Sequence, residues 1–524
     1  MNKLIGFLIT KNKPNFDLNF LKKKNTLIII RKFGFNIYLW GVGDIKTCTV
    51  NQKYCFSFPL NTSLLDRNIV ISFKKNCIYI ENDWLGSIPI FYNKKNFIVS
   101  TISNFCKTDK IICKEGLFNF CSVGYSVHEQ TIFENVKFLR YLSKIVINNK
   151  EIQINYKPDI LDRIKKKSEV SEKKVFIDIK KYIKDYEKIT RCNIIIPTSG
   201  GYDSRLLNCL VEDKSRILSF SYGISKIQKE SFEVIYAKKL SQHLKINWQQ
   251  IKLSKYYKKI NEWFQIFGFS VHLHGMHYYS FFEKILVKMQ LKKAIVLSGI
   301  IGDIWSGHHV ISRINNYKNL SKLYLNHGIS LPTKYLNIKE NYTQRKIFYN
   351  LNKCSLNNEK IRLVFIVRFK IILLHYLISV PEYLGKITFS PFLNFNIANN
   401  ILNINKKKRK NREWQKNFFK KNDIYFENFN IYAKKTNNLD FSTAAHSRFK
   451  KINIKLMSAY FSIKFLKRIN NRINNITKID HLFENMNEFL RRSGQFFKKF
   501  FFQKNYSNIL DQYLIIKTIE KSIK

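Results

Sequence analysis

The sequence predicts a mixed α/β chain in two unlike parts. An antiparallel β-sandwich layer comes first, and a parallel α/β domain with helical additions follows. Three observations carry this. Short alternating or β-branched runs crowd residues 1–156 and leave little room for crossover helices, which predicts antiparallel pairing. From about residue 175, strands alternate with helical patterns, as in parallel sheets. Beyond about residue 305 the pattern is mostly helical.

Thr26 to Arg31, Ile37 to Gly41, Ile69 to Phe73, Cys77 to Ile80, Ile88 to Tyr92, Phe97 to Ser100 and Lys144 to Ile147 read as strands between turn-prone clusters. The charged stretch 157–174 loses its apolar period and reads as a linker. Val175 to Tyr186 reads as a helix, Asn193 to Pro197 as a short buried strand, and Ser204 to Val211 as the start of a helix. Ile217 to Tyr222 is a further strand, Ser231 to Leu244 a helix and Ala294 to Leu297 a third strand, giving a domain over 175–440. Residues 441–524 read as a basic helical extension, and no repeat of fixed period is present.

A chain of 524 residues with 45% hydrophobic and 15% aromatic content can bury a sizeable core, which excludes wholesale disorder and collagen-like structure. The net charge is +54, from 91 Lys and Arg against 37 Asp and Glu. Lys is spread along the chain, and only 18 Gly and 8 Pro accompany an excess of residues with A/T-only codons. Compositional drift therefore accounts for the charge. No zinc-finger or RNA-binding pattern is present, so no specific nucleic-acid partner is expected. The tail from Lys450 mixes basic residues with apolar ones, as in Phe496 to Phe502. It reads as a docked helix with a basic outer face, or as an interfacial helix weakly associated with an anionic membrane surface. Nine cysteines without a CxxC pair suit a reducing cytosol. Apolar runs such as Ile371 to Val380 are about half the length of a membrane span, and the N-terminal run is too short for a signal peptide. A cytoplasmic protein is expected, its oligomeric state open.

The feature that carries chemistry is the run Ile194-Ile195-Ile196-Pro197-Thr198-Ser199-Gly200-Gly201-Tyr202-Asp203-Ser204. A buried strand passes through Ser-Gly-Gly-x-Asp-Ser into a helix. Gly200 and Gly201 let the backbone turn and bring its N–H groups to an anion, and the helix N-terminus adds partial positive charge. Ser199 and Ser204 supply hydroxyl donors. Beside an anion Asp203 needs a cation, for which Mg²⁺ is suited. The phosphate loop GxxxxGK[ST] is absent.

Ser199 to Ser204 resembles the pyrophosphate loop of the ATP-pyrophosphatase superfamily, and the surroundings resemble the asparagine synthase family, over roughly residues 1–440. Leu297-Ser298-Gly299-Ile300-Ile301-Gly302-Asp303-Ile304-Trp305-Ser306-Gly307 is similar to that family's Ser-Gly-x-Gly-x-Asp-Glu loop, and Ser390-Pro391-Phe392-Leu393-Asn394 to its Pro-Phe-Leu-Asp turn. Upstream, Asn82 to Tyr92 resembles the hairpin of its glutamine amidotransferase domain, and Thr131 to Val136 fits that domain's late strand region. The resemblance implies an Ntn-type amidotransferase-like domain over 1–156 and an ATP-pyrophosphatase domain over 175–440. It implies an AMP-forming carbon–nitrogen ligase that adenylates a carboxylate with ATP and Mg²⁺ and passes the acyl group to ammonia or a substrate amine. The parent reaction is aspartate to asparagine. By that resemblance Thr198, Ser199, Gly200, Gly201, Asp203, Ser204, Phe220, Ser298 and Gly299 bind the nucleotide, Asp203 and Asp303 hold the metal, and Lys435, with Lys434 beside it, stabilises the transition state.

Two departures shape the expectation. The family's terminal Met-Cys-Gly-Ile frame reads Met1-Asn2-Lys3-Leu4 here, so glutaminase activity is expected to be absent. Ile300, Ile301 and Ile304 stand in a loop where the family carries Glu, and Asn394 replaces Asp, so the acceptor half is altered and a specialised amidation or cyclisation of a small-molecule or peptide carboxylate is expected, with the acid and the amine left open. An idle scaffold with a vestigial fold and a tRNA-modifying ATP-pyrophosphatase remain as alternatives. His272, His274 and His277 read as packing or pocket residues rather than a zinc set, and His308-His309 as candidates for the acceptor pocket.

Overall fold

The computed structural model describes residues 1–12, 17–165, 168–289, 293–324, 329–339, 341–428, 431–485 and 506–524. Its N-terminal strands are β1 (Lys3–Thr10), β2 (Thr26–Lys32), β3 (Phe35–Val42), β4 (Thr49–Val50), β5 (Lys53–Cys55) and β6 (Ile69–Lys74), then β7 (Cys77–Asn82), β8 (Phe91–Asn93), β9 (Ile98–Ser100), β10 (Lys137–Phe138), β11 (Ser143–Ile147) and β12 (Ile152–Tyr156). They form two antiparallel sheets, ordered β10-β8-β9-β1-β3-β2 and β12-β11-β7-β6-β5-β4. Leu4, Phe7 and Ile9 of β1 meet Ile71, Ile80 and Ile145 across the sandwich.

β1 lacks any alternating signal because both its faces are covered. Ile5 and Leu8 face a second core shared with the rest of the chain. A register shift against β3 between Leu4 and Gly6 lets Leu4 and Phe7 face the same side. The run from Ile88 pairs only from Phe91, since Pro89 has no N–H to give a ladder.

The start of the charged stretch after β12 is packed against the rest of the chain. Leu161 and Ile164 are buried, and Asp159 accepts two hydrogen bonds, of 2.7 and 2.8 Å, from Arg368. The following helix runs Glu172–Thr190, capped by Ser171.

Five parallel strands come next: β13 (Asn193–Pro197), β14 (Ile217–Ser221), β15 (Asn247–Gln250), β16 (Ala294–Leu297) and β17 (Thr388–Phe389), in the order β15-β14-β13-β16-β17. Each neighbouring pair is parallel. From β13 the chain winds outward one way through β14 and β15, then returns to the other side of β13 with β16 and β17. The strand order therefore reverses between β13 and β16. Open α/β sheets bind ligands beyond the C-terminal ends of the strands at such a point.

Helices cover the sheet. Glu359–Tyr383 is 25 residues long and apolar enough to cross a membrane by length and composition, longer than the ten-residue runs suggest, because His375 and Pro381 do not end the buried stretch. It is a core element here, 89% buried in its apolar window. The terminal helix Tyr506–Ile523 is also buried on nearly all sides, through Ile515, Ile516 and Ile519. This helix is docked and presents no basic outer face; Lys517 is turned inward and paired with Glu520 at 2.9 Å. Phe496 to Phe502 lie outside the described residues.

The sheet layers are joined by buried polar and aromatic contacts. Lys3 reaches Glu382 at 2.6 Å, and Arg67 donates to both oxygens of Glu382 at 3.0 Å. Trp84, in the turn after β7, stacks on Trp305 at 6.0 Å and donates its indole N–H to the Leu393 carbonyl.

Candidate functional site

The loop leaving β13 is held from below. Thr198 N–H donates to the Phe220 carbonyl across the sheet, and Thr198 Oγ1 accepts from Asn208 at 2.9 Å and from Ser219 at 2.8 Å. Ser204 Oγ accepts from the Ser199 N–H at 3.1 Å and donates to the Gly201 carbonyl, closing the loop into a tight ring. Gly200 is glycine for space: a Cβ there would sit 2.7 Å from Tyr236 and 3.2 Å from Phe232. Arg205, fully buried, donates to the Gly200 carbonyl at 2.7 Å and pairs bidentately with Glu427, fixing the loop from behind. The helix Tyr202–Leu210 starts without a side-chain cap, which leaves its first N–H groups available to an anion.

The loop leaving β16 comes against this ring. A Cβ on Gly302 would lie 2.8 Å from the Asp203 carboxyl carbon, so only glycine lets the two loops touch there. Ile301 adopts φ +58°, a left-handed conformation costly for a β-branched residue. Asp303 follows and accepts from, or pairs with, His309 at 3.3 Å.

The two carboxylates face one field. Burial pushes the Asp203 carboxyl up and the Asp303 charge adds to this, against Arg412 at 3.9 Å and the Gln415 amide at 3.2 Å. Burial also acts on Asp303, but His309, Arg412 and Lys370 override it and hold that carboxyl low. A divalent cation between them would relieve the repulsion felt by Asp203. Two carboxylates suit Mg²⁺, which takes one or two from protein and the rest from phosphate and water. No group of three or more His, Cys, Asp or Glu side chains with metal-site geometry occurs among the described residues.

Between the loops lies a cleft of about 480 Å³. Thr198, Ser199, Gly201, Asp203 and Ser204 line it from β13, Phe220 from β14, and Ser298, Gly299 and Asp303 from β16. Gly200 does not line it; its place is the packing just described. Lys434 and Lys435 do not line it either. Lys434 Nζ pairs with Glu230 at 2.7 Å, while its backbone bonds to Glu230 and Phe232. Lys435 Nζ lies 5.8 Å from the Phe232 ring, behind the loop. The cations that line the cleft are Lys370 and Arg412. Arg412, at φ +60° beside Asn411 at φ +52°, is turned toward Asp203 by two consecutive left-handed residues. Lys370 was detectable only as a charge inside the apolar run Leu363 to Leu374. Glu233 also lines the cleft, and its Oε2 is buried with no hydrogen-bond partner among the described residues.

Other expected residues sit elsewhere. Asn394 caps the helix Phe395–Leu402 and reaches Asp66 at 3.2 Å, so it is structural. His272 packs on His274 with ring centroids 4.3 Å apart, and its Nδ1 meets the Gly124 carbonyl. Asn2 donates to Thr47 Oγ1 at 2.7 Å and accepts from the Asp44 N–H. Cys48, on that side of the sandwich, is buried, and burial pushes its thiol up to about 11.

No protein-family model matches the chain, and no curated protein matches it.

Proposed function

We propose that the chain is an ATP-dependent amide-forming ligase of the asparagine synthase type, its first sheets an amidotransferase-like sandwich and its parallel sheet an ATP-pyrophosphatase domain. The observation that carries this is the pairing of an uncapped helix N-terminus with Asp203 and Asp303 on adjacent loops at the reversal point of the sheet. The loop N–H groups and Ser199 bind the departing phosphates, and Arg412 adds positive charge there. Asp203 and Asp303 would hold Mg²⁺, which would supply positive charge to the departing pyrophosphate. Thr198, Phe220, Ser298 and Gly299 form the wall against which the nucleoside packs.

The carboxylate oxygen of the acid attacks the α-phosphorus, a new O–P bond forms, and the bond to the β-phosphate oxygen breaks. An amine then attacks the acyl carbon, the bond to AMP breaks, and the amine loses a proton. Enclosure in the cleft positions the acid for in-line attack. Glu233, with an unpartnered oxygen, is suited to accept an N–H or O–H from a bound ligand.

The test is carboxylate-dependent exchange of pyrophosphate into ATP. Asp203→Ala is expected to lower it by about a hundredfold or more, as for loss of a key electrostatic group. Exchange that persists in Asp203→Ala, or release of ADP and phosphate in place of AMP and pyrophosphate, sinks the reading.

A further inference from the structure

The wall of the cleft that carries no phosphate loop is continuous and mostly apolar. Tyr222, just beyond β14, packs edge-on against Phe281 with ring centroids 4.9 Å apart. Tyr278, one turn earlier on the helix Met276–Lys288, donates its hydroxyl to the Leu377 carbonyl at 3.3 Å. Leu374 precedes Leu377, and Lys370 lies one turn before Leu374 on the same face of its helix. All six residues line the cleft. Ile300 and Ile301 continue this surface from the β16 loop, offering neither charge nor hydrogen bond.

Lys370 ends the apolar wall at the Asp303 side, within electrostatic reach of that carboxylate. It is only 4% exposed, and no ion pair engages it among the described residues. A buried ammonium is costly unless an anion meets it. The cleft is where such an anion enters. A ligand that satisfies both features has an anionic head and an apolar body.

We propose that the acid activated in this cleft is a carboxylate on a bulky apolar or aromatic body, its head steered by Lys370 and its body seated on Tyr278, Phe281, Leu374 and Leu377. This rests on the ligase reading above. Aspartate and glutamate are disfavoured, because their second carboxylate has to be desolvated against the apolar wall or brought near Glu233.

Pyrophosphate exchange is measured on the full chain with 3-phenylpropionate, hexanoate, aspartate or glutamate as the only acid, in wild type, Lys370→Met and Lys370→Arg. The apolar acids are expected to exceed the acidic amino acids by about tenfold or more in kcat/KM. Lys370→Met is expected to raise the KM for 3-phenylpropionate about tenfold, with partial recovery in Lys370→Arg. Calorimetric titration with Mg²⁺ and a non-hydrolysable ATP analogue is expected to show nucleotide binding retained in all three proteins. Preference for aspartate or glutamate overturns the proposal and leaves the ligase reading standing. So does an unchanged acid KM in Lys370→Met, or loss of nucleotide binding in that variant, which assigns Lys370 to the phosphates. Nucleotide binding by wild type with no exchange from any acid overturns the proposal, and absence of nucleotide binding overturns both readings.

Discussion

Burial raises the Asp203 carboxyl, Arg412 and the Gln415 amide oppose this, and the Asp303 charge reinforces it. A carboxyl whose folded pKa is raised binds protons in the folded state that the unfolded chain has already released. Stability from this group is therefore present at low pH and is lost as pH rises through the folded pKa. Asp203→Asn removes that loss. In metal-free buffer at about pH 8 the variant is expected to melt above wild type, with the difference shrinking toward about pH 5. Scanning fluorimetry across that range checks it, and Mg²⁺ with ATP is expected to stabilise wild type only. A different penalty operates at Glu382, where one carboxylate serves both Lys3 and Arg67. Burial pushes the Lys3 ammonium down, and Glu382 is the main group opposing it. Glu382→Ala leaves two buried cations uncompensated and is expected to cost about 3–5 kcal/mol in urea unfolding, with part recovered by adding Lys3→Met.

Among the elements, the helices Glu359–Leu374 and Tyr506–Ile523 show how burial overrides sequence pattern. Both carry charges, yet Arg368 is matched by Asp159 and the Tyr141 ring at 3.5 Å, and Lys517 by Glu520. With Arg368 and Lys517 paired, the apolar residues around them can be covered on every face. Ile516 is fully buried in the terminal helix, so Ile516→Ala is expected to cost about 2–5 kcal/mol, measured by urea unfolding, from lost transfer energy and the cavity left behind. A surface helix would lose far less.

For the whole molecule, the sandwich and the parallel sheet share one of the two cores. Ile5 and Leu8 of β1, Trp84, and the Lys3 and Arg67 side chains all find partners beyond residue 156. A fragment of residues 1–156 is expected to bind a hydrophobic dye and aggregate, where the full chain does neither, because that face becomes solvent-exposed. A monomeric fragment with a sharp melting transition contradicts this.

The sequence by itself determined the elements whose signals are local. β13, β14 and β16 follow from short β-branched runs, and the Ser199–Ser204 turn from glycine and hydroxyl chemistry at a strand end. Asp303 was singled out by the resemblance of the Leu297–Gly307 loop to a known family's loop, not by a local signal of its own. What only the tertiary structure decided is everything that depends on separation in sequence. β1 and the terminal helix show no period because partners far along the chain cover both their sides. The cleft's cations are Lys370 and Arg412 rather than Lys434 and Lys435, and spacing could not reveal this among 91 basic residues. Lys434 bonds to a nearby carboxylate, while Lys370 is carried to Asp303 by a helix about seventy residues further on. A charge in sequence has no address until packing places it, because its energy is set by the groups within a few ångströms and by the water removed around it.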